Sequence, residues 1–139
     1  MNLPQNKVFC DTSFFFASLY PADSNFEKAG ELLTYCSDNA VTFYTTWDVV
    51  SETVTLLRYR ADYNAAVEFL NKVKPNLLIV NYNESVRTAA EEVFKKLSKD
   101  KRISYCDAVS YIVIIHLLDN IPSLSFDKDF RSLGLTVYP

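Results

Sequence analysis

Short apolar segments alternate with helical segments along the whole chain. A short, continuous apolar run is typical of a strand that is buried on both faces. Strands that alternate with helices favour a parallel α/β sheet covered on both faces. We predict strands at Val8 to Cys10, Val41 to Thr46, Asn76 to Val80, Ser123 to Phe126 and Leu135 to Tyr138.

Apolar residues at helical spacing predict the connecting helices, and capping residues mark several of their ends. The segment after Ser104 is apolar on nearly all sides, so we expect it at the centre of the fold and expect its His116 to be buried. Further helices are predicted from about Thr12, from a Ser24–Glu27 capping box, from Thr45 or Thr46 to about Leu57, from about Asp62 to Lys74 with a stop at Pro75, and from Glu84 to Ser98. A brief helical turn is predicted from Lys128 to Leu133, ending at Gly134.

Composition narrows the class of protein. Residues 1–139 form a length near that of one domain, and we expect a single domain. Two glycines are too few for a glycine-rich phosphate loop or a dinucleotide fingerprint. Three widely spaced cysteines and no long apolar run or signal-peptide pattern favour a cytoplasmic protein without a membrane segment.

Four acidic residues stand where a parallel sheet would gather them. Asp11 directly follows the first predicted strand and Asp127 the fourth, and ligands of such sheets bind beyond the carboxyl ends of the strands. Glu52 and Asp107 lie on helices that can face the same edge. Converging carboxylates require protons or cations, and hard oxygen ligands suit Mg²⁺ or Mn²⁺.

Each acid also has a simpler structural explanation. Asp11 and Asp127 fit helix caps or turns, and Asp129 competes with Asp127 for any role in a site. Glu52 fits a solvated helix residue, and Asp107 completes a capping box that begins at Ser104. Taken singly the simpler explanations are favoured, whereas the four together favour a metal site.

Four segments carry a specific resemblance, in order and over nearly the whole chain: FCDTSFFFASL, TTWDVVSETVTLL, RISYCDAVSYIV and LSFDKDFRSLGLTVY. The chain resembles PIN domains, the metal-dependent ribonuclease family that includes VapC-type toxins. The resemblance implies a three-layer α/β/α sandwich with a central, mainly parallel sheet. It also implies that Asp11, Glu52, Asp107 and Asp127 are both metal ligands and catalytic residues, while Thr12 and Ser13 match the hydroxyl positions after the first acid. Ser125 stands where many members carry threonine.

The expected function is therefore Mg²⁺- or Mn²⁺-dependent hydrolysis of RNA phosphodiester bonds. VapC-type toxins imply a homodimer and a cognate antitoxin protein. Arg58, Arg60 and the cations of FKKLSKDKR at 94–102 could contact RNA phosphates, although a solvated helix end explains the latter nearly as well. Two alternatives stay open: a non-catalytic RNA-binding module of the same fold, and an α/β domain that uses Asp11 as a phosphoacceptor.

Overall fold

The computed structural model describes Met1, Leu3 and residues 5–139. Its framework is a five-stranded sheet in which every neighbouring pair is parallel. The strands lie in the order β3-β2-β1-β4-β5, so the first strand of the chain is the central one. Their bounds are β1 Lys7–Cys10, β2 Thr42–Thr45, β3 Leu77–Ile79, β4 Ser123–Leu124 and β5 Val137–Tyr138.

Helices flank this sheet, which confirms the predicted α/β architecture. The crossovers between parallel strands need such helices, since a tight hairpin cannot connect parallel neighbours. The α-helices are α1 Thr12–Leu19, α2 Phe26–Asp38, α3 Trp47–Leu56, α4 Tyr63–Glu68, α5 Glu84–Leu97, α6 Tyr105–Leu117 and α7 Lys128–Arg131. No helix in the described part of the chain has both the length and the apolar character that crossing a membrane requires.

The core lies on and around β1. Val8, Phe9 and Cys10 are fully buried, and the Phe14–Phe16 run that follows is buried as well. Helix α6 also lies in the core, as expected, with most of its residues from Asp107 to Ile114 buried. Because β1 is apolar and buried, a carboxylate at its end is costly unless it is hydrogen-bonded. Asp11 therefore needs hydrogen-bond donors of its own.

Of three local predictions, two were wrong and one was confirmed. The Ser24–Glu27 capping box does not form, because α2 begins at Phe26 with Asn25 in the capping position and no side-chain cap. The helix predicted from Asp62 does end next to Pro75, at Val73, and Pro75 lies in the 3₁₀ turn Lys74–Asn76 that follows, where its missing N–H costs little. His116 is exposed near the C-terminal end of α6, after the buried stretch has ended.

Candidate active site

All four predicted acids line one cavity at the carboxyl edge of the sheet. Asp11 follows β1, and Asp127 follows β4, the neighbouring strand. Glu52 comes from the second half of α3 and Asp107 from the first turn of α6. The cavity has a volume of about 330 Å³. Residues that are far apart in the chain therefore meet at the edge where parallel sheets bind ligands.

Two serines hold the Asp11 carboxylate. The hydroxyls of Ser13 and Ser125 each donate to Asp11 Oδ2 at 2.9 Å. The same hydroxyls accept backbone N–H groups, Ser13 from Phe126 at 2.9 Å and Ser125 from Asp127 at 3.1 Å. Although Asp11 occupies the capping position of α1, it makes no side-chain cap. Its role as a simple helix cap is therefore not supported, and the serine pair ties it to the loop that carries Asp127.

Burial makes the ionised form of Asp11 costly. Its side chain is buried, and desolvation raises the pKa of the carboxyl above its ordinary value. The hydroxyls of Ser125 and Ser13 and the Thr12 N–H lower this pKa, whereas the negative charge of Asp127 raises it. The hydrogen bonds do not fully offset burial and repulsion, so a nearby cation would stabilise the anion.

Asp107 has both a structural and an electrostatic role. Its Oδ2 accepts the Ser104 N–H at 2.9 Å, while its own N–H donates to Ser104 Oγ at 3.0 Å, so the predicted capping box is present. Burial, followed by the charges of Asp11, Asp127 and Glu52, raises the pKa of Asp107 to about 7. A carboxyl that only capped a helix at the surface would not experience three other acids. Capping and membership of the acid cluster therefore coexist.

The other two acids are more accessible. Glu52 is exposed on α3, and Asp127 is half-buried, accepting the Asp129 N–H at 2.8 Å. Asp127 lines the cavity and acts on the pKa of both Asp11 and Asp107. Asp129 is not among the described residues that line the cavity. The geometry therefore favours Asp127 over Asp129 as the fourth acid.

Positive charge reaches the cavity from two sides. Arg60, in the π-helical segment Leu57–Ala61, and Arg102, just before α6, both line it. Lys99 and Lys101 line a neighbouring surface cavity that also includes Arg102. Arg58 does not contribute to the described wall of the acidic cavity. Of the cations that the sequence suggested, Arg60 and Arg102 are therefore the two that line the described part of the acidic cavity.

The donor groups fit a hydrated Mg²⁺ or Mn²⁺ better than a preformed metal cage. In the described residues, no three His, Cys, Asp or Glu side chains are grouped closely enough to form a ready-made site. Mg²⁺ commonly keeps several waters and takes only one or two carboxylates together with substrate phosphates. The hydroxyl of Thr12, which is buried in the cavity wall, has no hydrogen-bond partner among the described groups. Such an unpaired oxygen is costly unless water or a cation satisfies it.

Sequence reasoning missed the function of Ser125. It was noticed only as a departure from threonine, whereas its hydroxyl links Asp11 to the Asp127 backbone. Its position directly after β4, the strand beside β1, was the available signal, because side chains there face the same sheet edge. The long-range contact, 114 residues apart in the chain, is not visible in any local pattern.

Comparison with known proteins gives a family match and a structural match. The PIN domain family matches residues 8–135. Among solved structures, Mycobacterium tuberculosis VapC20, described as a sarcin-ricin loop cleaving toxin, is similar to this chain with a TM-score of 0.79 and 25% identity. The similarity covers 92% of this chain and 95% of that one. No curated protein sequence matches this chain significantly.

Proposed function

The chain belongs to the PIN domain family, and on that premise we propose that it is a Mg²⁺- or Mn²⁺-dependent endoribonuclease. PIN domains are typically nucleases, and those nucleases generally use divalent metals. The observation that carries the proposal is the convergence of four acids from four segments in one cavity with two arginines. Acids alone would repel a polyanion, so the arginines supply the attraction that RNA phosphates require.

The buried acids and the exposed acids have different parts in the proposed reaction. Asp11 and Asp107 would hold the cation, since both are buried and a buried carboxylate is costly unless a positive charge compensates for it. A bound divalent cation supplies Lewis-acid stabilisation of the negative charge that develops on the phosphate oxygens. Glu52 and Asp127 would complete the acidic wall, and the exposed Glu52 would accept a proton from an attacking water.

Arg60 and Arg102 would bind the phosphates that flank the scissile bond. The only histidine, His116, does not line the described cavity. Proton transfer is therefore assigned to carboxylates.

The biological setting that we propose is a toxin–antitoxin pair. The support is the similarity to VapC20, which its description calls a toxin that cleaves the sarcin-ricin loop. An antitoxin protein would then mask the acidic cavity. The homodimer expected for such toxins stays a prediction, which the mass of the purified protein in solution would test.

RNA cleavage by purified protein tests the proposal. Wild type should cleave single-stranded RNA with Mg²⁺ or Mn²⁺, and excess EDTA should stop the reaction. Asp11→Asn should be inactive yet folded by circular dichroism, because an amide oxygen can still accept the two serine hydroxyls. Asp129→Asn is the matched control, since Asp129 is a neighbouring acid outside the described cavity wall. Equal cleavage by wild type and Asp11→Asn would reject the assignment, and binding without cleavage by wild type would favour the non-catalytic module.

A further inference from the structure

A second cavity lies beside the acidic one. Its volume is about 420 Å³, within the range of small-ligand sites. Glu52 lines both cavities, so a ligand in the second one would lie directly next to the proposed reaction centre. Its walls also include three aromatic residues: Trp47, Tyr82 and Tyr105.

Two of these aromatic residues, Trp47 and Tyr105, are exposed. Trp47 is 51% exposed and Tyr105 is 37% exposed. Each is the first residue of its helix, α3 or α6, and directly follows a capping residue whose side chain accepts a backbone N–H, so both backbones belong to capped helix starts. The ring of Tyr105 also packs against Phe94, with centroids 6.0 Å apart. Exposed rings that are held in place offer flat surfaces for a planar ligand.

Polar groups around these rings complement a nucleotide. Arg87 lies over the Tyr82 ring, 5.4 Å from its centroid, and the Lys74 ammonium lies 5.1 Å from the Trp47 ring centroid. The Tyr82 hydroxyl donates to Asp48 at 2.5 Å, which fixes that carboxylate in the cavity wall. Aromatic rings interleaved with cations are the usual means of binding single-stranded nucleic acid. A fixed carboxylate can accept an N–H from a base edge.

We infer that this second cavity binds an unpaired nucleobase of the RNA substrate, next to the phosphate that is cleaved. The inference rests on the proposed function, which it deepens by assigning a subsite for the substrate. A base would stack on Trp47 or Tyr105, while Arg87 and Lys74 attract the adjoining backbone. A peptide from a protein partner is the competing occupant. The two cations favour RNA, as does the position of this cavity directly beside the acidic one, with Glu52 in both walls.

The fluorescence of Trp47, the only tryptophan, provides a direct test. Three hexamers are titrated into Asp11→Asn protein with Mg²⁺ and into wild type in EDTA: oligoadenylate, oligouridylate and an abasic ribose-phosphate chain. We expect both base-bearing hexamers to quench the fluorescence. The abasic hexamer should bind about 5- to 100-fold more weakly, because stacking contributes about 1–3 kcal/mol per base. If no hexamer quenches Trp47, or if all three bind equally, the inference is overturned.

Cleavage kinetics provide a second, independent readout. Trp47→Ala should raise KM for RNA about 5- to 100-fold with kcat nearly unchanged, and Trp47→Phe should restore most of the affinity. Tyr59→Ala is the control, because Tyr59 is an aromatic residue that is 81% exposed outside the described cavity wall. Unchanged KM in Trp47→Ala with normal cleavage would reject the base subsite and leave the nuclease intact. If wild type cleaves no RNA, the proposed function fails, while the fluorescence titration still decides base binding.

Discussion

The two buried acids of the cavity differ sharply from the two accessible ones. Asp11 and Asp107 are almost completely buried, are held by hydrogen bonds and have raised pKa values. Glu52 is exposed on a helix surface, and Asp127 is half-buried in a loop. The first pair makes the protein less stable without a counter-charge, whereas the second pair costs little. A fold retains buried, repelling carboxylates most readily where a ligand compensates for them.

The largest difference between the buried and the accessible acids should therefore be in how much their replacement slows RNA cleavage. Asp11→Asn or Asp107→Asn should lower kcat/KM about 10²- to 10⁴-fold, since several kcal/mol of charge stabilisation are lost. Glu52→Gln should lose less, about 10- to 100-fold, because an accessible acid can be replaced in part by water. Single-turnover cleavage of one labelled RNA measures all three. A greater loss in Glu52→Gln than in Asp11→Asn would reverse the proposed division of roles.

The next difference concerns how the folding stability of the metal-free protein depends on pH. The pKa of Asp107 rises from 3.8 to about 7 on folding, so between these values the folded state keeps a proton that the unfolded state has released. The contribution of Asp107 to stability is therefore present below pH 4 and is lost as pH rises to about 7.

Replacing this acid should stabilise the metal-free protein. At pH 8, Asp107→Asn should unfold with a free energy about 2–4 kcal/mol higher than wild type, and at pH 4 the two should be nearly equal. The amide oxygen still accepts the Ser104 N–H, so the capping contact is kept. Urea denaturation in EDTA at both pH values measures the difference. A variant less stable than wild type at pH 8 would show that Asp107 is mainly a structural cap.

Removing the Ser125 hydroxyl, which binds Asp11, should have an intermediate effect on metal affinity. Ser125→Ala removes a donor to Asp11 and an acceptor for the Asp127 N–H, so the carboxylate loses its fixed orientation. Mn²⁺ affinity should fall about 10- to 100-fold, as is typical when a group that orients a metal ligand is removed. Ser125→Thr keeps the hydroxyl and should bind Mn²⁺ nearly as wild type does. Calorimetric titration of folded protein compares the three, and equal affinity in Ser125→Ala would exclude a positioning role.

The smallest effects should come from the cations at the rim. Arg60→Ala and Arg102→Ala should each weaken RNA binding about 2- to 10-fold and reduce the slope of log affinity against log salt by about 0.7 per lost phosphate contact. Arg58→Ala is the matched control, because Arg58 lies two residues away outside the described cavity wall. Binding of labelled RNA by the Asp11→Asn background at three salt concentrations measures the slopes. An equal change in Arg58→Ala would mean that the cations act only through general charge.

Sequence patterns predicted the sheet because its strands are short apolar runs that differ clearly from their neighbours. The capping box of Ser104 and Asp107 was also readable, since it depends on residues three apart. The missed features depend on tertiary structure: Ser125 meets Asp11 across the sheet edge, and the aromatic cavity joins α3, α6 and the loop before α5. His116 was misjudged because a strongly apolar helix conceals the point at which it leaves the core. Long-range contacts, and the point at which a helix leaves the core, thus mark the limit of local reasoning.

The central claim is that the acidic cavity at the carboxyl edge of the sheet binds a divalent cation, which Asp11 and Asp107 hold. The most direct measurement is anomalous diffraction from a crystal soaked in Mn²⁺, compared with an Asp11→Asn crystal treated in the same way. We expect an anomalous peak in the cavity between Asp11 and Asp107 in wild type and none in the variant. A wild-type cavity without Mn²⁺ at saturating concentration, or a peak that persists unchanged in Asp11→Asn, would contradict the account.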